Sequence, residues 1–463
     1  MTTNLSRAQR WVVALTAIAS FVVVLDLLVV ATALGAIRAD LHASLAELEW
    51  TINAYTLAFA VLLMTASAIG DRLGRRRTFA LGLALFGGAS AGCALSPSIG
   101  WLIAWRAIQG AGAATIMPLA LAQLNSAVPP ALRGRALGIY GAITGLGALL
   151  GPIIGGAVTE GLAWPWVFWV NVPVCAIAIP MVIARLDETH GPRVAIDVPG
   201  LVLLTASAFG LVWALVRANE VGWGSFEIVA SLGGGLVAAV GFVEVQRRAA
   251  APLLPLRLFG SRAFSAGNLV VFCLSAAITG GVFFMAQFEQ VAGGLGPLDA
   301  GLRLLPWGIA PFVVAPRAGA LADRIGERPL IVIGLVLNTI GMAWIALVAS
   351  PGVPYLALVG PMTIVGIGFA LVFPAVTKTV ISGVARDDIG KASGAFSTLR
   401  QLGNSFGVAI PVAVFARVGD YSSPDAFARG FSAAIAVTAV LSAIGLAAAI
   451  MLPAPSDALA RAS

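Results

Sequence analysis

The sequence predicts an all-α polytopic membrane protein with fourteen transmembrane helices, and three observations support this fold class. The chain has 463 residues, of which 59% are hydrophobic and 11% charged, and its mean hydropathy is +0.96. Soluble domains carry about 25% charged residues, so one large soluble core is excluded. Apolar runs of about 20 residues, the length that spans a bilayer as a helix, follow one another along the chain. A short charged motif also occurs twice, as expected of a membrane protein built from two related halves.

Fourteen apolar runs reach the length of a spanning helix. In chain order they cover residues 11–34, 48–69, 78–96, 100–124, 136–158, 166–184, 198–217, 226–246, 263–288, 301–321, 329–349, 354–377, 391–416 and 430–452. The first run is long enough to span, and no small-residue cleavage site follows a short apolar core. This pattern favours a retained first helix over a signal peptide.

The basic residues predict how these helices are oriented, because Lys and Arg in short links favour the cytoplasmic side. With the N-terminus inside, 21 of the 28 basic residues lie in inner segments and five in outer segments, while Arg106 and Arg400 lie within helices. We therefore expect a multi-pass protein of the cell (plasma) membrane with both termini in the cytoplasm. The net charge of +7 is explained by this topology and does not indicate a surface for nucleic acid.

The positions of the two copies of the charged motif indicate how many helices lie between them. Its first copy is SAIGDRLGRRR at residues 67–77, and its second is GALADRIGER at residues 319–328. Superposing the copies places three residues on three others: Asp71 on Asp323, Arg72 on Arg324 and Gly74 on Gly326. Eight predicted helices separate the copies, whereas two halves of six would give six. We therefore predict a six-helix bundle at 1–187, an inserted helix pair with its links at 188–262, and a second six-helix bundle at 263–463.

The fifth predicted helix contains a row of small residues around one proline: Gly147, Gly151, Pro152, Gly155 and Gly156. Proline removes the hydrogen bond to the carbonyl four residues earlier, and glycines allow helices to approach closely. The row therefore predicts either a flexible seam or an ordinary packing face.

A few polar side chains lie inside apolar runs, where a charge is costly. Asp26 lies near the middle of the first helix, Arg106 in the fourth and Glu289 near the outer end of the ninth. A carboxyl group withdrawn from water binds a proton more readily, as a proton-transfer group requires. We expect Asp26 to bind protons and to meet a cationic substrate, with a structural polar contact as the alternative. We also expect Arg106 and Glu289 to belong to the proton- or substrate-binding site. The alternative is a structural network for Arg106 and burial at the interface for Glu289.

Other chemistries are not indicated. The sequence has no phosphate-binding Gly-x-x-x-x-Gly-Lys-Ser/Thr motif, and its two histidines, His42 and His190, both lie in links. The cysteines Cys93, Cys175 and Cys273 lie in separate apolar runs without metal-ligand spacing. We predict neither an enzyme nor a metal site, and no cofactor besides the proton as coupling ion.

Several stretches resemble the major facilitator superfamily, and within it the fourteen-spanner drug:proton antiporters of the multidrug efflux type. Residues 67–77 resemble motif A of the superfamily, residues 102–114 its motif B, and residues 147–156 the motif C of its antiporters. The acidic segment around Asp26, the entry to the sixth helix at 164–173 and the link at 290–306 also resemble that branch. The resemblance covers residues 11–452.

This resemblance implies roles for the residues that match. Arg106 and Gln109 are expected to support proton transfer at Asp26. Asp71 is expected to pair across the two bundles at their cytoplasmic end as part of a conformational latch. The other expected latch residues are Arg72, Gly74, Arg75, Asp323, Arg324 and Gly326.

We therefore expect a monomeric proton-coupled antiporter in the lipid bilayer that exports amphipathic, cationic or aromatic compounds by alternating access. Drugs, dyes and biocides belong to this class, so antibiotic resistance is an expected consequence. One alternative is a dedicated exporter of a single endogenous metabolite or lipid. A second is an importer or uniporter, which the resemblance of residues 147–156 disfavours. A third, from another class, is a membrane receptor that does not transport.

Overall fold

The computed structural model describes residues 5–191, 196–249, 252–382, 384 and 388–453. These residues form α-helices joined by short links. The helices are α1 (Arg7–Leu41), α2 (Leu45–Leu73), α3 (Arg75–Ala94), α4 (Ile99–Ala127), α5 (Pro130–Gly161), α6 (Trp166–Trp169), α7 (Asn171–Arg185), α8 (Val198–Val221), α9 (Phe226–Arg248), α10 (Arg262–Val291), α11 (Pro297–Arg303), α12 (Leu305–Ile325), α13 (Glu327–Val348), α14 (Tyr355–Ser382), α15 (Ile389–Val418) and α16 (Pro424–Ile450). A 3-10 turn covers Leu256–Gly260.

The predicted fold class is confirmed. In the described part of the chain, eleven helical segments are long and apolar enough to cross a membrane, with α6 and α7 together forming one of them. The three other predicted spans correspond to α3, α12 and α15, which have 20, 21 and 30 residues. Each of the fourteen predicted spans is therefore matched by a helical segment.

The helices begin and end where capping groups allow, so most are longer than their apolar runs. Helix α2 begins at Leu45, ahead of the predicted residue 48, because Ser44 and Glu47 form a reciprocal capping box. Helix α1 begins directly after Ser6, which caps it in the same way. The sixth predicted span is interrupted at Val170. Pro173 has no N–H to donate to the carbonyl four residues earlier, which explains why the helix breaks there.

The chain divides into two compact units, Met1–Leu201 and Val202–Ser463. In the first unit, one apolar core joins buried side chains such as Val22, Phe79 and Leu119. In the second unit, a core joins side chains such as Phe264 and Phe396. The boundary between the units falls inside α8, and the finer division at residues 187 and 262 stays a prediction.

Helices α8 and α9, the predicted inserted pair, are tied to the rest of the second unit at one end. Arg217 of α8 donates from Nε to Oε1 of Glu227 at the start of α9, over 2.8 Å. Asn219 donates from Nδ2 to the carbonyl of Ala413 in α15, over 2.6 Å. The guanidinium of Arg417 lies 5.1 Å from the ring centre of Trp223, which follows α8. The first contact joins α8 to α9, and the other two attach the pair to α15.

Helix α5 packs on α1 through glycines at four-residue spacing: Gly147, Gly151 and Gly155. A Cβ atom at Gly147 would lie 2.7 Å from the carbonyl oxygen of Phe21, and one at Gly155 would lie 2.6 Å from that of Val29. Only glycine permits this separation of the two backbones. These two contacts flank Asp26 along α1, so the seam fixes the backbone that carries this carboxylate. Pro152 and Gly156 are buried on the same helix.

The second unit repeats this arrangement between α10 and α15. A Cβ atom at Gly403 would lie 2.4 Å from the carbonyl oxygen of Phe272, and one at Gly407 would lie 2.2 Å from that of Ala276. Counted from the start of each predicted six-helix bundle, the first and fifth long helices are therefore joined through backbone contact at glycines. This likeness agrees with the repeat read from the sequence.

We expect Gly155→Ala to destabilise the protein by about 1–3 kcal/mol, because the added methyl group meets the backbone oxygen of Val29 and cannot displace it. Gly141→Ala is the matched control on the same helix, since a Cβ atom there has no heavy atom within 4 Å. Thermal unfolding of both variants in detergent micelles measures the difference. Equal Tm values for the two variants would contradict the tight seam.

Candidate functional site

The structure brings three predicted site residues into one buried cluster in the first unit. The side chains of Asp26 (α1), Arg106 and Gln109 (α4) have no exposed surface. Nη1 of Arg106 donates to Oδ2 of Asp26 over 2.5 Å. Nε2 of Gln109 donates to Oδ1 of Asp26 over 2.9 Å. Each carboxylate oxygen therefore accepts a hydrogen bond, one from the guanidinium of Arg106 and one from the amide of Gln109.

The spacing on α4 and its approach to α2 set the geometry of the guanidinium. Arg106 and Gln109 are one helical turn apart, and Nη1 of Arg106 also donates to Oε1 of Gln109 over 2.6 Å. Nε of Arg106 donates to the carbonyl of Thr51 in α2 over 2.9 Å. Helices α2 and α4 can approach this closely because a Cβ atom at Gly110 would lie only 2.3 Å from the carbonyl oxygen of Tyr55.

Two residues of this cluster were not predicted as site residues. Asn171 donates from Nδ2 to Oδ1 of Asp26 over 2.8 Å. The hydroxyl of Ser90 on α3 accepts from Nε2 of Gln109 over 2.7 Å. Asn171 begins α7 directly after the helix break at Val170, so the break aims its side chain at α1. The sequence signal was an asparagine between the break and Pro173, but its partner lies 145 residues earlier.

Aromatic rings surround the charged pair. The guanidinium carbon of Arg106 lies 4.3 Å from the ring centre of Tyr55 and 5.7 Å from that of Phe168. An aromatic face attracts a cation, most strongly where water is absent. Among the described residues, Nη2 of Arg106 and Oδ1 of Asn171 have no hydrogen-bond partner. A buried pair with unsatisfied atoms contributes little to stability, so stability alone does not account for this cluster.

The first copy of the charged motif lies at the C-terminal end of α2, whereas the Asp26 cluster contacts α2 near its N-terminal end. Asp71 accepts from Nε of Arg75 over 2.7 Å, four residues later. Gly74 connects α2 to α3 with φ of 109°, a conformation that favours glycine. Arg72 is exposed. Asp71 thus pairs within its own unit, and its expected pairing across the bundles stays a prediction.

The second copy is described in part. Gly326 connects α12 to α13 with φ of 86° and so matches Gly74 in conformation as well as in sequence. The side chains of Asp323 and Arg324 lie outside the described residues. Their role in a latch stays a prediction.

Glu289 lies near the end of α10, in the second unit. Its side chain is 2% exposed, and Oε2 accepts from Nη1 of Arg303 over 3.0 Å. The hydroxyl of Tyr355 donates to the carbonyl of Arg303 over 3.1 Å. Oε1 of Glu289 has no hydrogen-bond partner among the described residues. The structure thus places Glu289 in a separate ion pair, and its binding role stays a prediction.

Comparison with known proteins agrees with this architecture. A family model described as Major Facilitator Superfamily matches residues 16–408. The chain is 38% identical over 445 residues to the cephamycin export protein CmcT of Amycolatopsis lactamdurans, covering 94% of this chain and 90% of that protein. It is 35% identical over 430 residues to the tetracenomycin C resistance and export protein of Streptomyces glaucescens, covering 91% and 79%. A solved D-xylose–proton symporter, 17% identical, superposes with a TM-score of 0.68 over 96% of this chain and 97% of its own. The predicted fold is therefore confirmed.

We expect Arg106→Gln to lower the free energy of unfolding by about 3–5 kcal/mol, because the Asp26 carboxylate then stays buried without a counter-charge. Adding Asp26→Asn removes that charge, so the double variant should unfold at a higher Tm than Arg106→Gln alone. Arg217→Gln is the control, since its ion pair is partly exposed and should change stability by at most about 1 kcal/mol. A double variant less stable than both single variants would contradict the pairing.

Proposed function

The chain belongs to the major facilitator superfamily, and on that premise we propose that it is a proton-coupled antiporter exporting amphipathic, cationic or aromatic compounds. It is a multi-pass membrane transporter of small molecules and not an enzyme. The relatives named for export of tetracenomycin C and cephamycin support drug export as its role. Proton coupling and the direction of exchange are our proposal.

The buried pair of Asp26 and Arg106 is the observation that carries proton coupling. Both side chains are fully buried, so the negative and positive charges balance each other away from bulk solvent. A proton that binds Asp26 neutralises the carboxylate and leaves the Arg106 guanidinium without a counter-charge. Such a buried, unpaired charge costs about 3–5 kcal/mol. Protonation therefore favours any conformation in which Arg106 meets water or another partner.

The proton gradient can supply energy of that size. A charge that crosses the membrane gains about 2.3 kcal/mol per 100 mV, and a pH difference adds to this. In the proposed cycle, a proton from outside binds Asp26 and favours the state that takes it inward. Release of the proton restores the pair with Arg106, while a bound compound moves in the opposite direction. Gln109 and Asn171 hold the carboxylate in place while it is ionised.

The remaining site residues are given roles within this cycle. Glu289 is a second acidic site for a cationic group, and its Oε1 atom, which has no hydrogen-bond partner among the described residues, supports this role. The glycine seam around Gly151 and Pro152 allows α5 to move against α1. We place Asp71, and by the repeat Asp323, in a latch that steadies one state of the exchange.

The distribution of basic residues supports the proposed orientation. We place the protein in the plasma membrane with both termini in the cytoplasm, since 21 of the 28 basic residues then lie on the inner side. We propose that the functional unit is a monomer, because the Asp26 cluster is complete within one chain.

We expect Asp26→Asn to abolish uptake driven by a pH gradient in everted membrane vesicles, reducing the rate at least about tenfold. Asparagine has the shape of the carboxyl group but cannot exchange a proton at neutral pH. Exchange of labelled for unlabelled compound without a gradient should persist, because that reaction needs no net proton movement. Fluorescence of ethidium reports the driven uptake, and labelled puromycin reports the exchange.

Asp425→Asn serves as the control, since this exposed carboxylate lies at the start of α16 and away from any proposed role. It should behave like the unmodified protein in both assays. If Asp26→Asn keeps an undiminished dependence on the pH gradient, the assignment of Asp26 is wrong.

We also expect the protein to transport more than one compound from a panel of tetracenomycin C, a cephamycin, puromycin and ethidium. The first two follow the relatives, and the last two are cationic aromatic compounds. Proteoliposomes with an imposed pH gradient measure each flux directly. Transport of a single compound would favour a dedicated exporter, and binding without flux would favour a receptor.

A further inference from the structure

Helix α3 begins without a cap of its own. It starts at Arg75 directly after Gly74, and no side chain at Gly74 accepts a hydrogen bond from the first turn. Glycine is required there because its φ of 109° is unfavourable for other residues. Because the N-cap position is a glycine, it cannot be the Ser, Thr, Asp or Asn that usually caps a helix. The first N–H groups of α3 need partners from elsewhere in the chain.

Those partners come from the segment Leu186–Gly191, which follows α7 and is here called the strap. The carbonyl of Thr189 accepts from the N–H of Arg75 over 2.8 Å. Oε1 of Glu188 accepts from the N–H of Arg76 over 2.8 Å. Glu188 therefore does for α3 what an N-cap side chain does, although it lies 112 residues later in the chain.

The negative charge of Glu188 is also favourable at the start of α3. Oε2 of Glu188 lies 3.6 Å from Nε of Arg76 and 3.6 Å from Nε of Arg77. The N-terminus of a helix also favours a negative charge. Nη1 of Arg76 donates in turn to the carbonyl of Leu186 over 3.2 Å. Arg76 and Glu188 thus join the start of α3 to the end of α7 in both directions.

The strap also lies against the motif carboxylate. The N–H of Gly191 donates to the carbonyl of Asp71 over 3.1 Å. A Cβ atom at Gly191 would lie 2.2 Å from Oδ1 of Asp71, and one at Gly74 would lie 2.6 Å from Oε1 of Glu188. The strap therefore contacts the turn on both sides of the pair formed by Asp71 and Arg75.

The second half of the chain has part of this arrangement. Arg328 stands two residues after Gly326, as Arg76 stands two after Gly74, and its Nη2 donates to the carbonyl of Ile450 at the end of α16 over 2.7 Å. Both halves therefore use this arginine to bind the last carbonyls of their final long helix. Glu327 stands where the first half has Arg75, and it pairs with Lys378 over 2.8 Å.

We propose that Glu188 is a positioning residue for transport. It caps α3 from the strap and holds Asp71 and Arg75 in the geometry that the conformational exchange uses. This role does not depend on which residue carries the proton.

The test compares Glu188→Ala, Glu188→Gln and the matched control Asp187→Ala in the purified full-length protein. Asp187 is the neighbouring carboxylate and is exposed. Hydrogen exchange measured by mass spectrometry reports the amides of residues 75–78. Exchange of labelled for unlabelled puromycin and ethidium in proteoliposomes without a pH gradient reports transport, so a failure of proton coupling does not affect the result.

Glu188→Ala should raise amide exchange at residues 75–78 about fivefold, the effect of losing a typical helix cap. It should also lower the maximal rate of puromycin and ethidium exchange about threefold or more, with half-saturating concentrations unchanged. Glu188→Gln should fall between, because its amide oxygen still accepts from Arg76. Asp187→Ala should match the unmodified protein.

Unchanged amide exchange in Glu188→Ala would overturn the proposal, because the cap would then be absent in solution. Faster amide exchange with an unchanged transport rate would overturn it too, because the role would then be structural only. If Glu188→Ala does not fold, Glu188→Gln decides in the same two assays: intermediate values support the proposal, and values equal to the unmodified protein oppose it.

Discussion

The structure of the first unit depends on one constraint: a carboxylate and a guanidinium are buried together, away from bulk solvent. Asp26 and Arg106 are both fully buried, and separating their charges in that place would cost several kcal/mol. Side chains or backbone from α1, α2, α3, α4 and α7 therefore converge on the pair. The two charges balance only while the carboxylate is ionised. A proton bound at Asp26 would leave Arg106 without a counter-charge, and the proposed coupling rests on this effect.

Glycine makes that convergence possible. Gly110 lets α4 approach the backbone of α2, and the row from Gly147 to Gly155 lets α5 lie directly on α1. Small residues at such contacts let helix backbones approach closely. At the other end of α2, Gly74 forms the turn that Glu188 then caps. The charge pair and the capped turn thus lie at opposite ends of one helix.

Much of the fold could be predicted from the sequence, because apolar runs and short basic links are local signals. Asp26, Arg106 and Gln109 stood out for the same reason, as polar residues inside apolar runs. The roles of Asn171 and Glu188 could not be predicted, since their partners lie 145 and 112 residues away and depend on the packing of whole helices. The predicted helices were too short where caps such as Ser44 extend a helix beyond its apolar run.

Asp26 is proposed to exchange the transported proton, and proton release on ligand binding tests this role most directly. The purified protein in weakly buffered detergent solution is mixed with puromycin or ethidium while a pH indicator records the change. Over a series of starting pH values, binding should displace a proton from the unmodified protein wherever Asp26 is protonated before the compound is added, and Asp26→Asn should bind the same compound without releasing one. Equal proton release from the two proteins would contradict it.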